Sequence, residues 1–356
     1  MNEKKPILAI DARPLVRGSG GIQRYLKQVL PVLINSDKHQ IILYSDRPID
    51  NLDFNNIKTR FIADNSLASI LWHIYSVYWV RKDKVDVYWS PRHHLPFALP
   101  AQCKAVVTIH DFVWKTTAKT MPKLQFLSEA CLMPAAIKRA DTIVCISQTT
   151  NKQLSQYYPK HRAKSQVILH GQSDIKKGKM VAPSTDQQFF LSVGTLEPRK
   201  NYILQIKAFD AYAHNGGSNN LIIVGKKGWG YKDIYKQLDQ CKHKDRISIL
   251  DDANDKKLKS LYQTAAGFIS ISLDEGYGLP PQEAAFFGLP LLLAQIDAYK
   301  ELYPLADLWV NPDDLNAVTQ ALHSLEKLPT KTITSTLSNK RDWSACAEEL
   351  LKSFEK

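Results

Sequence analysis

With 356 residues, 44% of them hydrophobic and 23% charged, the chain is long enough for two domains and ordinary for a soluble globular protein, which excludes collagenous and disordered classes. Its five cysteines (Cys103, Cys131, Cys145, Cys241, Cys346) are odd in number and widely spaced with no C-x-x-C pair, so they read as reduced, mostly buried thiols of a cytoplasmic protein. The net charge of +12 sits in the first half: residues 1–180 hold 27 Lys and Arg against 13 Asp and Glu, whereas residues 181–356 hold 20 against 22.

Such asymmetry points to an anionic partner for the first half: a membrane surface, a diphosphate-linked lipid or a nucleic acid. Basic residues scattered without a run also suit a merely solvated surface. The opening apolar segment is too short for a signal peptide, and no run reaches the ~18 residues that span a bilayer, so the expectation is a protein neither secreted nor membrane-crossing.

Ile7-Leu-Ala-Ile10 reads as a short buried strand, followed by Gly18-Ser-Gly-Gly-Ile-Gln-Arg-Tyr25 and an amphipathic helix with Leu26, Val29, Leu30 and Leu33. Strand, glycine loop and helix make a Rossmann opening, although the spacing does not complete a G-x-G-x-x-G fingerprint. Gln40-Ile-Ile-Leu-Tyr44 and Ile57-Lys-Thr-Arg-Phe-Ile62 read as further strands. The aromatic stretch from Ser66 to Val80, with Arg81-Lys-Asp-Lys84 behind it, admits two readings. One is an interfacial helix pressing Trp72 and Trp79 into a membrane; the other, favoured by apolar residues all round, is a buried helix.

Val85-Asp-Val-Tyr-Trp-Ser90 is a strand ending at Pro91, and His93 and His94 follow. Adjacent side chains point apart on any regular element, so the pair reads as the lining of an acceptor loop in preference to a metal site. Lys104-Ala-Val-Val-Thr-Ile-His110-Asp111 is a buried strand ending in a polar pair, where ligands of parallel sheets bind; Asp111 is placed to orient His110. Arg139 to Ser147 is another strand, with Ser147-Gln-Thr-Thr150 capping a helix, and Gln166-Val-Ile-Leu-His-Gly171 closes the first unit.

The polar, aperiodic segment that follows reads as a linker. The predicted domains are therefore 1–172, a linker at 173–188, 189–340, and a terminal amphipathic helix in 341–356. Phe189-Phe-Leu-Ser-Val-Gly194 opens the second domain and runs into Thr195-Leu-Glu-Pro-Arg-Lys-Asn201, where the forked guanidinium of Arg199 beside the ammonium of Lys200 suits a diphosphate. Leu221-Ile-Ile-Val-Gly-Lys-Lys-Gly-Trp-Gly230 is the next strand and loop, and Ile247-Ser-Ile-Leu-Asp-Asp252 another, followed by a helix with Leu258, Leu261 and Tyr262. Leu291-Leu-Leu-Ala294 is a later strand, and Asp313 or Asp314 caps the helix after Trp309 and Val310.

Between these lies the stretch that organises the chain, Leu273-Asp-Glu-Gly-Tyr-Gly-Leu-Pro-Pro-Gln-Glu283, running on to Gly288 and Pro290. It follows the strand-like run Ala266 to Leu273. Pro280 and Pro281 suit a first helical turn and Gly288 its end, placing Glu275 in the loop and Glu283 in the first turn. Gly276 and Gly278 let the backbone approach a ligand closely, and a helix N-terminus offers N–H groups to an anion. Two carboxylates would repel a phosphate, so their task is to accept hydrogen bonds from hydroxyls on either side of it, which describes a nucleotide sugar. The bland alternative is that they complement a helix dipole, worth ~0.3–1 kcal/mol each.

The pattern Glu-Gly-aromatic-Gly-Leu-Pro with a second Glu eight positions after the first resembles the signature of the retaining glycosyltransferases of family 4. Val-Gly-Thr-Leu-Glu-Pro-Arg-Lys-Asn201 resembles that family's phosphate loop, particularly in its mannosyltransferase branch. The resemblance implies an α/β chain of two Rossmann-like domains facing across a cleft, the GT-B type, with the donor held mainly by the second and the acceptor by the first. It implies that Glu275 holds donor-sugar hydroxyls, that the amides of Gly276, Tyr277, Gly278 and Leu279 hold sugar and phosphate, and that Glu283 holds the ribose. Gly194, Arg199 and Lys200 take the diphosphate; Gly20, Gly21 and Arg24 face diphosphate and acceptor; His110, in a Thr-x-His-Asp segment, lies near the anomeric carbon. Departures are Gln282 for an apolar residue, Asp251 for a glycine beside the base, and Gln172-Ser173-Asp174 after Gly171.

The implied activity is retaining transfer of a hexose, mannose from GDP-mannose, to a hydroxyl of a polyprenyl-diphosphate-linked glycan such as an O-antigen or exopolysaccharide precursor. It takes place on the cytoplasmic side of a membrane, with no metal and no other cofactor. A UDP-sugar donor is the alternative on the same fold. A phosphorylase would need a pyridoxal-bearing lysine and a longer chain, a non-catalytic scaffold would be expected to lose Glu275 or the Arg-Lys pair, and no nucleic-acid module is recognisable.

Overall fold

The structure is a computed structural model, and it describes residues 5–17, 20–49, 57–63, 68–172, 188–329 and 341–355. The chain divides into two compact units, one of residues 1–112, 123–171 and 341–356, the other of residues 113–122 and 172–340. Residues 173–187 of the expected linker lie outside the described residues.

In the first unit seven parallel strands form one sheet: β1 (Ile7–Asp11), β2 (Gln40–Tyr44), β3 (Lys58–Arg60), β4 (Val87–Ser90), β5 (Lys104–Ile109), β6 (Thr142–Cys145) and β7 (Ser165–Val167), in the order β3-β2-β1-β4-β5-β6-β7. In the second, β8 (Phe189–Val193), β9 (Asn220–Val224), β10 (Ile247–Leu250), β11 (Gly267–Ser270), β12 (Leu291–Ala294) and β13 (Leu308–Val310) pair in the order β10-β9-β8-β11-β12-β13. Continuous runs of Ile, Leu and Val suit such strands because helices cover both faces of the sheet. Each order reverses once, between β1 and β4 and between β8 and β11. Loops after those strands diverge there, and such switch points are where open α/β sheets bind ligands.

Local chemistry sets the ends of several elements. Ser147 Oγ accepts the Thr150 N–H at 3.1 Å and Asp314 Oδ1 the Ala317 N–H at 2.9 Å, so Asp314 is the cap of its helix. The expected strand at 57–62 shortens to Lys58–Arg60, with Lys58 Nζ and Arg60 Nη2 each 2.7 Å from Asp83 Oδ1. The aromatic helix, Ala68–Lys82, buries Trp72 and Trp79 but leaves Ile74 67% and Tyr78 53% exposed, so it is apolar on its outer face as well as its inner one. None of the described helices is long and apolar enough to cross a membrane. The terminal helix, Trp343–Phe354, packs within the first unit so closely that a Cβ on Gly171 would lie 2.4 Å from the Trp343 nitrogen.

Candidate functional site

In the second unit the switch point brings Arg199, Lys200 and Glu275 together. Pro198–Lys200 forms one tight 3-10 turn after β8, and Asn201 leaves it in the left-handed region (φ 59°), which asparagine tolerates better than most residues. Asn201 Nδ2 donates to Pro312 O at 2.7 Å and Ile271 O at 3.3 Å, tying the turn to the segments after β13 and β11. Arg199 Nη1 then reaches Glu275 Oε2 at 2.7 Å and Asp274 O at 2.8 Å, while its Nη2 reaches Glu197 Oε1 at 2.7 Å. Lys200 Nζ bonds Glu275 Oε1, to which Ser272 Oγ also donates, at 3.0 Å. Burial works to raise the Glu275 pKa, but the charges of Arg199 and Lys200 outweigh it and hold the carboxyl down at about 2. Glu275 is therefore an ionised acceptor at neutral pH.

The helix after the loop is Leu279–Phe286, and Gly288 (φ 74°) closes it with its own N–H on Ala285 O and that of Leu289 on Ala284 O. Pro280 and Pro281 lack N–H groups, so the first turn offers an anion little beyond the Leu279 amide, and the donors have to come from Gly276 to Leu279. Gly278, at φ 89°, has no room for a side chain: a Cβ would sit 2.5 Å from Tyr299 Cε1, and Tyr303 donates its hydroxyl to the Gly278 carbonyl. Gly278→Ala is expected to cost roughly 1–3 kcal/mol of stability and to displace the loop, a lower melting temperature being the check.

Glu283 is the fifth residue of the helix, just past the first turn where the sequence placed it, and is buried with its Oε2 accepting from Tyr262 OH at 2.8 Å. Gln282 is buried too, its Nε2 3.4 Å from Tyr277 OH and its Oε1 without a hydrogen-bond partner, so this departure from an apolar residue is only half compensated. Gly194 stands across the same switch point, its carbonyl accepting from Tyr202 OH at 3.0 Å. Asp251 pairs with Lys227 at 2.8 Å on the surface.

In the first unit, Gly20 and Gly21 are exposed and start the Gly21–Asn35 helix, with Gly20 at φ 139°; Arg24 is half-buried in its first turn. His93, His94 and His110 converge beyond β4 and β5. His110 N–H donates to His93 Nε2 at 3.1 Å, and His110 Nε2 lies 2.9 Å from Pro91 O. A carbonyl only accepts, so Nε2 carries the proton of the neutral ring, and Pro91 helps to orient it. Burial, reinforced by His93, lowers the His110 pKa to about 3, so the ring is neutral at physiological pH and acts by hydrogen bonding or packing. Tyr25 meets it edge-on with ring centroids 5.6 Å apart.

Three supporting residues escaped the sequence reading. Asn201 had a signal, an asparagine between a turn and a helix; Ser272 and Glu129 had none, because their partners are set by tertiary structure. Glu129 Oε2 lies 3.2 Å from His93 Nδ1 and 3.1 Å from His94 Nε2, 36 residues away from the former in the chain.

Two parallel-sheet Rossmann-like domains with loops of this composition at their switch points define a glycosyltransferase of the GT-B class. Residues 19–172 match the family model described as Glycosyltransferase Family 4, and residues 173–342 that of Glycosyl transferases group 1; the chain belongs to the family 4 glycosyltransferases. It is 25% identical over 304 residues to the O-antigen chain mannosyltransferase RfbU of Salmonella typhimurium, spanning 83% of this chain and 80% of that one. To the Escherichia coli O-antigen chain mannosyltransferase B it is 25% identical over 261 residues, 70% of this chain and 67% of the other. Among solved structures, Anabaena HepE in complex with UDP-glucose superposes with a TM-score of 0.76 at 16% identity, over 98% of this chain and 99% of that one.

Proposed function

We propose that the protein is a retaining mannosyltransferase that moves mannose from GDP-mannose to a hydroxyl of a lipid-linked cell-surface glycan. The Arg199–Lys200–Glu275 cluster carries this reading. It sets two cations suited to a leaving diphosphate against a buried, ionised carboxylate suited to the hydroxyls of a donor sugar. The two relatives named as O-antigen mannosyltransferases support the sugar and the class of acceptor. Glu283 holds the ribose, and His110, in the first unit, serves transfer as a neutral hydrogen-bonding group.

Glu275 is neutralised by cations on both oxygens, which makes it a poor nucleophile. The acceptor attacks on the face the diphosphate leaves, and the leaving phosphate takes the acceptor's proton. A sugar–enzyme adduct trapped and detected by mass spectrometry would overturn this mechanism. Arg199, Lys200 and the amides of Gly276 to Leu279 stabilise the leaving group, so transfer proceeds without a metal and persists in a chelator.

The acceptor's lipid implies work at the cytoplasmic face of a membrane. The outer face of the Ala68–Lys82 helix, with Ile74, Tyr75 and Tyr78 above Arg81 and Lys82, suits peripheral binding to anionic lipid. A UDP-sugar donor is the second reading, since the HepE structure holds UDP-glucose on the same fold. Thermal stability with GDP, UDP, ADP and dTDP separates the two. A nucleotide at ~100 times its dissociation constant adds ~2.7 kcal/mol. A shift with GDP alone supports mannose, a shift with UDP alone replaces the donor, and no shift with any of the four favours a non-catalytic member of the family.

A further inference from the structure

We propose that Glu129 is a positioning residue for His110, acting through the ring of His93. The proposal rests on the reading of His110 as a donor-side residue. The His110 N–H lies just beyond the last paired residue of β5, where the ladder ends at Ile109 and Cys145, and it donates to His93 Nε2 at 3.1 Å. A ring nitrogen accepts only when it carries no proton, so the His93 proton resides on Nδ1. That nitrogen faces Glu129 Oε2 at 3.2 Å, and an ionised carboxylate can only accept. Glu129 thus selects the one tautomer of His93 that can hold the His110 backbone. The same oxygen lies 3.1 Å from His94 Nε2, so a single carboxylate on the Lys123–Arg139 helix is close to both histidines of the loop. The His110 ring is anchored to that loop as well, through Pro91 O.

The Glu129 side chain is only 14% exposed. A buried charge needs partners of this kind, and mere satisfaction of two histidines is the reading to be beaten. The two readings differ in what protonation does. A charged His93 carries a proton on both nitrogens, and Nε2–H then opposes the His110 N–H, releasing His110. The groups facing His93 are Glu129 from the helix, Asp111 and His110 from the end of β5, and Arg92 from its own loop. Burial lowers the His93 pKa, but Glu129 outweighs it and the net direction is upward from the usual 6.5. Activity should therefore fall on the acid side of a pKa above 6.5, and Glu129 should decide where.

The test uses the full chain labelled with 15N-histidine, as wild type, Glu129→Gln and His93→Gln. Long-range 1H–15N spectra at pH 8 are expected to show wild-type His93 with its proton on Nδ1. Glu129→Gln, whose amide can both donate and accept, is expected to lose that selection and to move the acid limb of the pH profile downward. Its kcat should fall about 10- to 100-fold with little change in the donor KM. His93→Gln keeps an acceptor at the same reach without a titrating ring, so whatever turnover it has should lack the acid limb, and it carries the test if Glu129→Gln does not fold. A wild-type His93 protonated on Nε2 overturns the proposal. So does a Glu129→Gln variant that changes only the melting temperature, its tautomer and acid limb unmoved. The tautomer needs no donor or acceptor, so absence of turnover with any nucleotide sugar would count against the proposed function and not against this one.

Discussion

Glu275→Gln is expected to lower kcat by about 10²- to 10³-fold while GDP binds as tightly as before or more so. The two halves of this result have one cause. Glu275 holds a negative charge, buried and depressed to a pKa of about 2, between Arg199 Nη1 at 2.7 Å and the Lys200 ammonium. A sugar losing its diphosphate develops positive charge, and a fixed carboxylate accepting bonds from its hydroxyls stabilises that state more than the bound substrate. Glutamine keeps the shape and one acceptor oxygen but removes the charge. Bound GDP has no sugar to lose, and with the carboxylate gone Arg199 keeps Glu197 and the Asp274 carbonyl but no longer faces Glu275, so both cations lean further toward the diphosphate. Initial-rate assays and calorimetric titration with GDP separate the outcomes. Retention of kcat within a few-fold would remove Glu275 from contact with the reacting sugar, and loss of GDP binding would make its role structural.

Most of the fold is legible in the sequence because parallel strands are buried on both faces and appear as uninterrupted apolar runs. Phe189–Val193 and Leu291–Ala294 needed no partner to be recognised. Caps were legible for the same local reason: Ser147 and Asp314 bond amides three residues away. The site was legible as separate motifs but not as a constellation. Lys200 and Glu275 are 75 residues apart, and only the β8–β11 adjacency makes them partners, so reading one as a phosphate ligand and the other as a sugar ligand misses that each holds the other in place. Glu283 falls at the fifth helical position, just past the first turn, because the helix starts at Leu279 and the prolines occupy its second and third positions. Glu129 is the hardest case: a glutamate midway along the Lys123–Arg139 helix carries no local mark of the two histidines it faces.

Arg199→Ala is expected to destabilise the protein by about 3 kcal/mol at pH 7, the low end of the cost of breaking a buried ion pair, because Lys200 still faces the carboxylate it leaves behind. The loss should depend on pH in a direction that the Glu275 pKa fixes. In the folded protein that group titrates at about 2, against an ordinary 4.5. A depressed carboxyl contributes stability that is fully present above its unfolded pKa and is lost as pH falls through the folded one. The wild type therefore gives up this contribution between about pH 4.5 and 2. The variant, whose Glu275 has moved back toward 4.5, has less to give up. The gap between the two is wide at pH 7 and narrows on acidification, which urea unfolding at pH 7, 4 and 3 measures directly. Arg199→Ala combined with Glu275→Gln should recover only part of the stability, since the buried carboxylate is gone but the Lys200 ammonium loses its partner, while transfer stays strongly impaired and GDP binding weakened. Equal gaps at every pH would mean that Arg199 acts through packing and its bond to the Asp274 carbonyl. Recovery of transfer in the double variant would mean that neither residue is needed for the chemistry, and the cluster would then be a fold element at a switch point and nothing more.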